Sequence, residues 1–196
     1  MARAPVKKKA PAKIRRSKPV VIDFHAHIAV PEVLEITFGQ SQFARAIAKT
    51  KPGAKGIGIP KPALDRMSDM KLRFKEMDQM GIDIQIISPS ILQQCTYWAK
   101  PQAALKMEQQ SNDRVAEAVA EHPDRLVGIG SVPLQDVKLA VKELERAVTK
   151  NGLKGVIIGY RLFHPVLAGV RVGVFRHLFL VLFVFVHSSS LFLIFS

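Results

Sequence analysis

Val20-Val21-Ile22-Asp23-Phe24-His25-Ala26-His27 decides how this chain is read. An apolar run leads into two histidines separated by one residue. On a strand, side chains alternate between faces, so His25 and His27 point the same way, with Asp23 beside them. Two imidazoles at this spacing can grip one metal ion. A lone His-x-His also occurs as ordinary polar residues at a strand end. Here the pair closes the first predicted strand, Val20 to Ile28, where barrel and doubly wound α/β folds place their chemistry. That position favours the metal reading.

Outward from this strand, the chain alternates strands and helices. Pro31 opens a short helical stretch, Glu32 to Phe38. Residues 49–62 (KTKPGAKGIGIPKP) read as a loop. Its Gly56-Ile57-Gly58 is followed by neither a G-x-G-x-x-G nor a Walker pattern, so flexibility explains it better than a phosphate cradle. Leu64 to Met80 reads as one helix, with Met70, Phe74 and Met77 at i, i+4 and i+7. Gly81 stops it. Ile82 to Ser88 is the second strand, closed by Pro89. A loop with Gln93, Gln94, Tyr97 and Trp98 follows. Pro101 to Glu121 is a helix with an apolar stripe of Ala104, Met107, Val115, Ala118 and Val119, and His122 at its end reads as a cap. Leu126 to Val132 is the third strand. Asp136 caps a helix striped by Val137, Ala140, Val141, Leu144 and Val148, and Asn151-Gly152 stops it. Leu153 to Ile158 is the fourth strand. Helices long enough to cross back between strands argue for a parallel sheet.

Three segments follow from composition. Residues 1–19 carry eight Lys or Arg and no acid, so they supply +8 of the net charge of +13 and read as a disordered basic tail. The folded remainder is only mildly basic, which argues against specific nucleic-acid binding. Residues 20–160 hold the four βα units. From Arg161 to Ser196 there is no Asp or Glu, and Leu178 to Val186 is an unbroken apolar run. Three readings of this stretch stay open: an out-of-frame or mis-spliced end, which the abrupt loss of acids favours, then a buried fifth strand from Phe179 to His187, then a membrane span from about Val172 to Phe195. The span is disfavoured by Arg176, His177, His187 and three serines. The single cysteine, Cys95, excludes an intrachain disulfide, fits a reducing, cytoplasmic compartment, and reads as a packing residue.

An ordered set of short strings then resembles a family. They are IDFHAH at Ile22, RFKEMDQMGIDIQ from Arg73, Ser88-Pro89, Tyr97-Trp98-Ala99-Lys100-Pro101, RLVGIGSVPLQ from Arg125, LAVKELER from Leu139 and GLKGVIIG from Gly152. Together they resemble the amidohydrolase-related decarboxylases that act on aminocarboxymuconate semialdehyde and dihydroxybenzoates. The resemblance implies part of a (β/α)8 barrel: about four βα units and a candidate fifth strand, since a closed barrel typically takes about 250 residues. It implies a divalent metal, usually zinc, held by His25 and His27. His187, which ends an apolar run as the family's third histidine does, is the candidate third ligand. His164-Pro165 is a weaker one, since it follows no strand. The family's catalytic histidine and aspartate ligand on later strands have no counterpart here. A substrate-carboxylate arginine in the loop after the first strand has Arg66 and Lys61 as unmatched candidates, and Trp98 is a candidate wall for a planar substrate.

The function expected is metal-dependent, non-oxidative decarboxylation of a small unsaturated or aromatic carboxylic acid, the chain being a homo-oligomer or half of a site. Hydrolysis by the same metal centre is one alternative. A truncated, non-catalytic fragment is another, and on that reading the isolated chain has little decarboxylase activity.

Overall fold

The computed structural model describes residues 18–41, 60–90, 96–159, 182–187 and 190–195. Four strands, β1 (Ile22–Ile28), β2 (Ile84–Pro89), β3 (Leu126–Gly128) and β4 (Gly155–Gly159), alternate with helices α1 (Pro31–Gln40), α2 (Lys61–Ser68), α3 (Met70–Met80), α4 (Pro101–Glu121) and α5 (Val137–Thr149). β1, β2 and β3 pair in parallel in that order. β3 is shorter than the expected 126–132. Gly130 just beyond it still bridges Val156 in parallel, with Gly130 N–H donating to Gly155 O at 2.9 Å and Ile157 N–H to Gly130 O at 2.8 Å. All four strands therefore run the same way, as the alternation of periods requires.

The sheet packs by face. Ala26, Ile28, Ile87, Val115, Leu126, Ala147 and Leu153 form the buried layer between sheet and helices, with Met70, Phe74 and Val119 against it. On the opposite face, Ile86, Ile129 and Ile157 cluster with Val127. Fully burying an Ile or Leu contributes about 1.5–3 kcal/mol, so these two layers hold the sheet. Gly128 is required by the first: a Cβ there would lie 2.7 Å from Leu153 Cδ2 and 2.8 Å from Val115 Cγ1.

The helix expected from Leu64 to Met80 is two helices. The chain breaks at Asp69, whose Oδ1 accepts from Lys71 N at 2.8 Å and Leu72 N at 3.1 Å, so it caps α3. α2 begins at Lys61, inside the stretch expected as loop; the remainder of that loop through residue 59 is outside the described residues. The expected stops hold. Gly81 and Gly152 adopt φ of 71° and 69°, the left-handed conformation a helix end needs. Asp136 caps α5 by accepting from Leu139 N at 3.1 Å. His122 ends α4, its backbone N–H bonded to Val119 O, and its ring meets Phe74 edge-on at 4.6 Å.

The acid-free stretch contains β5 (Leu182–His187) and β6 (Ser190–Phe195). These pair antiparallel with each other, and β6 pairs antiparallel with β4 in the order β4-β6-β5. The candidate fifth strand, Phe179 to His187, is present as β5, with residues 179–181 outside the described residues; β6 lies between it and β4 and runs opposite to both. Two residues between β5 and β6 are too few for a parallel crossover, so these two strands pair antiparallel. Of the candidate membrane span, residues 172–181 lie outside the described residues, and 182–187 and 190–195 are strands; among the described residues no helix is long and apolar enough to cross a membrane. Residues 1–17, Cys95 and His164 lie outside the described residues.

Candidate metal centre

β1 does not keep its alternation. Ile22 and Asp23 pair with Ile84 and Gln85, but the next pairs are Ala26 with Ile87 and His27 with Ser88. Two residues, Phe24 and His25, oppose the single Ile86, which is a β-bulge. The bulge resets the faces. Asp23 joins Gln85 on one side, and the expectation that it stands beside the imidazoles is corrected for that reason. His25 and His27 stay together on the other, at the C-terminal end of the strand.

There the two rings meet edge-to-face, 4.9 Å between centroids, with their Nε2 atoms 3.1 Å apart. Nitrogens bound to one ion at about 2.0–2.1 Å, subtending roughly 90–110°, lie about 2.9–3.4 Å apart. The observed separation falls within that range, so the pair fits a shared divalent ion. His27 Nδ1 sits 2.9 Å from Ser88 Oγ. This bond fixes the ring and leaves Nε2 to face His25. Burial pulls the His27 imidazole down to about pH 4, with the neighbouring His25 and Arg73 adding to it. The ring is thus neutral at physiological pH, the form that ligates.

The backbone carrying the pair is held from the helix side. Arg73, on α3 and buried, donates from Nη2 to His27 O at 2.6 Å and to Arg66 O at 3.1 Å. Its Nη1 donates to Gln85 Oε1 at 2.5 Å. Gln85 Nε2 donates to Asp23 Oδ2 at 2.7 Å, and Asp23 Oδ1 accepts from His25 N at 3.1 Å. Burial draws the Arg73 guanidinium below its usual value, against the pull of Asp23 and Glu76. Sequence reading missed Arg73 and Gln85. The signal was present: Arg73 lies on the same stripe as Met70 and Met77, a charge on an apolar face.

The other candidates are dispersed. Among the described residues no group of three His, Cys, Asp or Glu could hold a metal. His187 ends β5, in register with Ser190 at the hairpin. Arg66 is exposed on α2 and ion-paired to Glu76 at 2.9 Å. Lys61 pairs with Asp65 at 2.7 Å. Trp98 lies in a 3-10 turn, Thr96–Trp98, against Val30, Val33 and Met107, its indole Nε1 buried without a partner among the described residues.

A family model described as amidohydrolase matches residues 22–175. The chain is 40% identical over 91 residues to 2-amino-3-carboxymuconate-6-semialdehyde decarboxylase of Dictyostelium discoideum, covering 46% of this chain and 25% of that one. It is 31% identical over 139 residues to gamma-resorcylate decarboxylase of Rhodococcus jostii, covering 70% and 37%. The solved dihydroxybenzoic acid decarboxylase of Polaromonas sp., with bound manganese and the inhibitor 2-nitroresorcinol, aligns with a TM-score of 0.54 at 26% identity over 71% of this chain and 38% of that one. The chain thus spans between a quarter and two fifths of the length of these relatives. Its parallel βα run is part of a (β/α)8 barrel with a histidine pair at the mouth, and the family match covers all four of its βα strands: the chain belongs to the amidohydrolase family.

Proposed function

We propose that this chain carries the first half of the metal centre of a decarboxylase acting on a small aromatic or unsaturated carboxylic acid. The observation that carries the reading is the convergence of His25 Nε2 and His27 Nε2 at 3.1 Å. Support comes from relatives that are decarboxylases, one of them solved with manganese. When bound, a divalent ion would polarise a substrate oxygen and draw electron density from the carbon losing its carboxylate. Zinc suits two imidazoles as well as manganese does, and zinc is the ion we assign.

The chain's own residues bind and orient. His25 and His27 present their Nε2 atoms at the barrel mouth, the His27 ring in its neutral form, and Ser88 holds that ring at Nδ1. His187 is proposed as a further ligand on the strength of its Phe-Val-His string. Arg66 is proposed to orient the carboxylate and Trp98 to wall the ring, although Arg66 already has Glu76 as its ion pair and Trp98 packs under α1 and α4. A cytoplasmic setting is proposed from the lone cysteine.

Loading the chain with Zn2+ or Mn2+ and following carbon dioxide release from gamma-resorcylate and from aminocarboxymuconate semialdehyde tests the reading. The expected outcome is binding of one ion per chain, lost in His27→Ala, with metal-dependent carbon dioxide release far slower than a whole barrel would give. A wild-type chain that binds no divalent ion overturns it. Metal-dependent cleavage of an amide or ester without decarboxylation replaces it with hydrolysis.

A further inference from the structure

The bulge in β1 separates two positions that one buried pair of side chains holds together. Asp23 precedes the bulge and His27 follows it. Gln85 grips the first through the Asp23 carboxylate, Arg73 grips the second through the His27 carbonyl, and the two are bonded to each other at 2.5 Å. The other oxygen of Asp23 receives the His25 N–H. Both histidine-bearing residues are therefore tied by their backbones to a single chain of four hydrogen bonds.

Arg73 is only 6% exposed and Gln85 is equally buried. Burying a guanidinium costs several kcal/mol unless its bonds are good, and apolar replacements of buried charges are often neutral or stabilising. Arg73 is not fully satisfied, since its Nε has no partner among the described residues. Packing alone does not account for a charge there. Its fork geometry does: two nitrogens of one planar group reach Gln85 and the His27 carbonyl at once, and a lysine cannot do so.

We infer that Arg73, acting through Gln85, is a positioning residue that sets the bulge of β1 and so the approach of His25 Nε2 to His27 Nε2. This rests on the metal reading above. Without the clamp, β1 relaxes towards plain alternation, and the two rings lose their fixed separation. Supporting groups that orient ligands typically change metal affinity about tenfold to a hundredfold when removed.

The test measures Zn2+ affinity by chelator competition and, in the metal-free chain, the imidazole 15N–1H spectrum of His25 and His27. Arg73→Met and Gln85→Met are compared with wild type at a temperature where near-ultraviolet circular dichroism shows each to be folded. The expected result is a loss of Zn2+ affinity of about tenfold to a hundredfold in both variants. The imidazole signals of the metal-free variants become broadened or doubled, and Arg73→Lys restores neither. If Arg73→Met does not fold, Gln85→Met decides. Folded variants with wild-type affinity and single sharp imidazole signals overturn the proposal, because a merely structural role lowers the melting temperature and leaves both readouts alone. A wild-type chain that binds no zinc overturns the metal reading separately, and the spectra of the metal-free chains then decide the role of Arg73 alone.

Discussion

Two buried polar clusters lie in the helix layer of this fold, and they end differently. The Arg73–Gln85–Asp23 chain ends on the backbone of the histidine pair. The second runs from Thr96 through Glu108 and Ser131 to Asn112, Glu143 and Arg146. It lies between α4, α5 and the end of β3, and Arg146 carries it on to Asp113 at the surface, 2.7 Å away. Asn112 donates from Nδ2 to Ser131 O at 2.9 Å and to Glu143 Oε1 at 2.7 Å, and its Oδ1 accepts from Ser131 N at 2.8 Å. Gly130 makes room for it, since a Cβ there would lie 2.6 Å from Asn112 Oδ1. Arg146 forks onto both oxygens of Glu143 at 2.8 and 2.9 Å. The lesson is that buried polarity can serve architecture or aim a site, and the partner at the end of the chain tells which.

The largest effect that separates the two is on stability. Asn112→Leu leaves the backbone of Ser131 and the carboxylate of Glu143 short of partners in a buried layer. It is expected to cost about 3–5 kcal/mol in denaturant unfolding. The Zn2+ affinity of the folded protein is expected to stay within about twofold of wild type. A large affinity loss in the folded variant would erase the distinction between the clusters.

Next comes the pH dependence of that stability. Glu108 is fully buried, and burial pushes its carboxyl up to about 8, with Glu143 adding to the rise and the hydroxyls of Ser131 and Thr96 opposing it. The folded chain therefore holds a proton that the unfolded chain releases near pH 4.5. Between those values the native state binds more protons, so stability falls as pH rises from 4.5 to 8. The slope is at most about 1.4 kcal/mol per pH unit. His27 acts in the opposite sense: its folded value of about 4 lies below 6.5, so its contribution is lost as pH falls through that window. Glu108→Gln is expected to flatten the fall in melting temperature from pH 6.5 to 8 and, between pH 4.5 and 6.5, to leave the rise contributed by His27 unopposed. An unaltered alkaline limb would show that Glu108 is ionised in the fold.

Much of this was legible in the residues. The order of βα units, the stops at Gly81 and Gly152, the cap at Asp136 and the histidine pair all follow from local rules of period, turn and cap. The bulge was not, because a period-two count assumes every residue advances the alternation, and Asp23 was placed on the wrong face by that assumption. Arg73, Glu108 and Glu143 were given no role. Each lies on an apolar stripe, Arg73 between Met70 and Met77 and Glu108 beside Met107, and a charge at such a position signals a buried network. The break at Asp69 was hidden because apolar spacing continues across it, while a capping carboxylate acts on only two amides. The direction of the strand beside β4 was not legible either, since an apolar run carries no orientation.

On the metal side, Ser88→Ala removes the hydroxyl that holds His27 Nδ1 and that also reaches Ala26 O at 3.4 Å. About tenfold weaker Zn2+ binding is expected, with a stability change of under about 1 kcal/mol. That is the inverse of Asn112→Leu. Equal, small effects from both would mean that neither cluster has a specialised end.

Arg66→Ala should change least, and its smallness is informative. The guanidinium is 56% exposed and pairs with Glu76 across solvent, so the pair is worth no more than about 0–1 kcal/mol and less at high salt. What the site uses of residue 66 is its carbonyl, which accepts from Arg73 Nη2 at 3.1 Å and which alanine retains. Melting temperature and zinc affinity are therefore expected to match wild type within error. The side chain is free to matter only for a bound carboxylate. A fall in affinity for gamma-resorcylate in the zinc-loaded chain, with zinc binding intact, would assign Arg66 to the substrate. An unchanged affinity would leave it a solvated charge on α2.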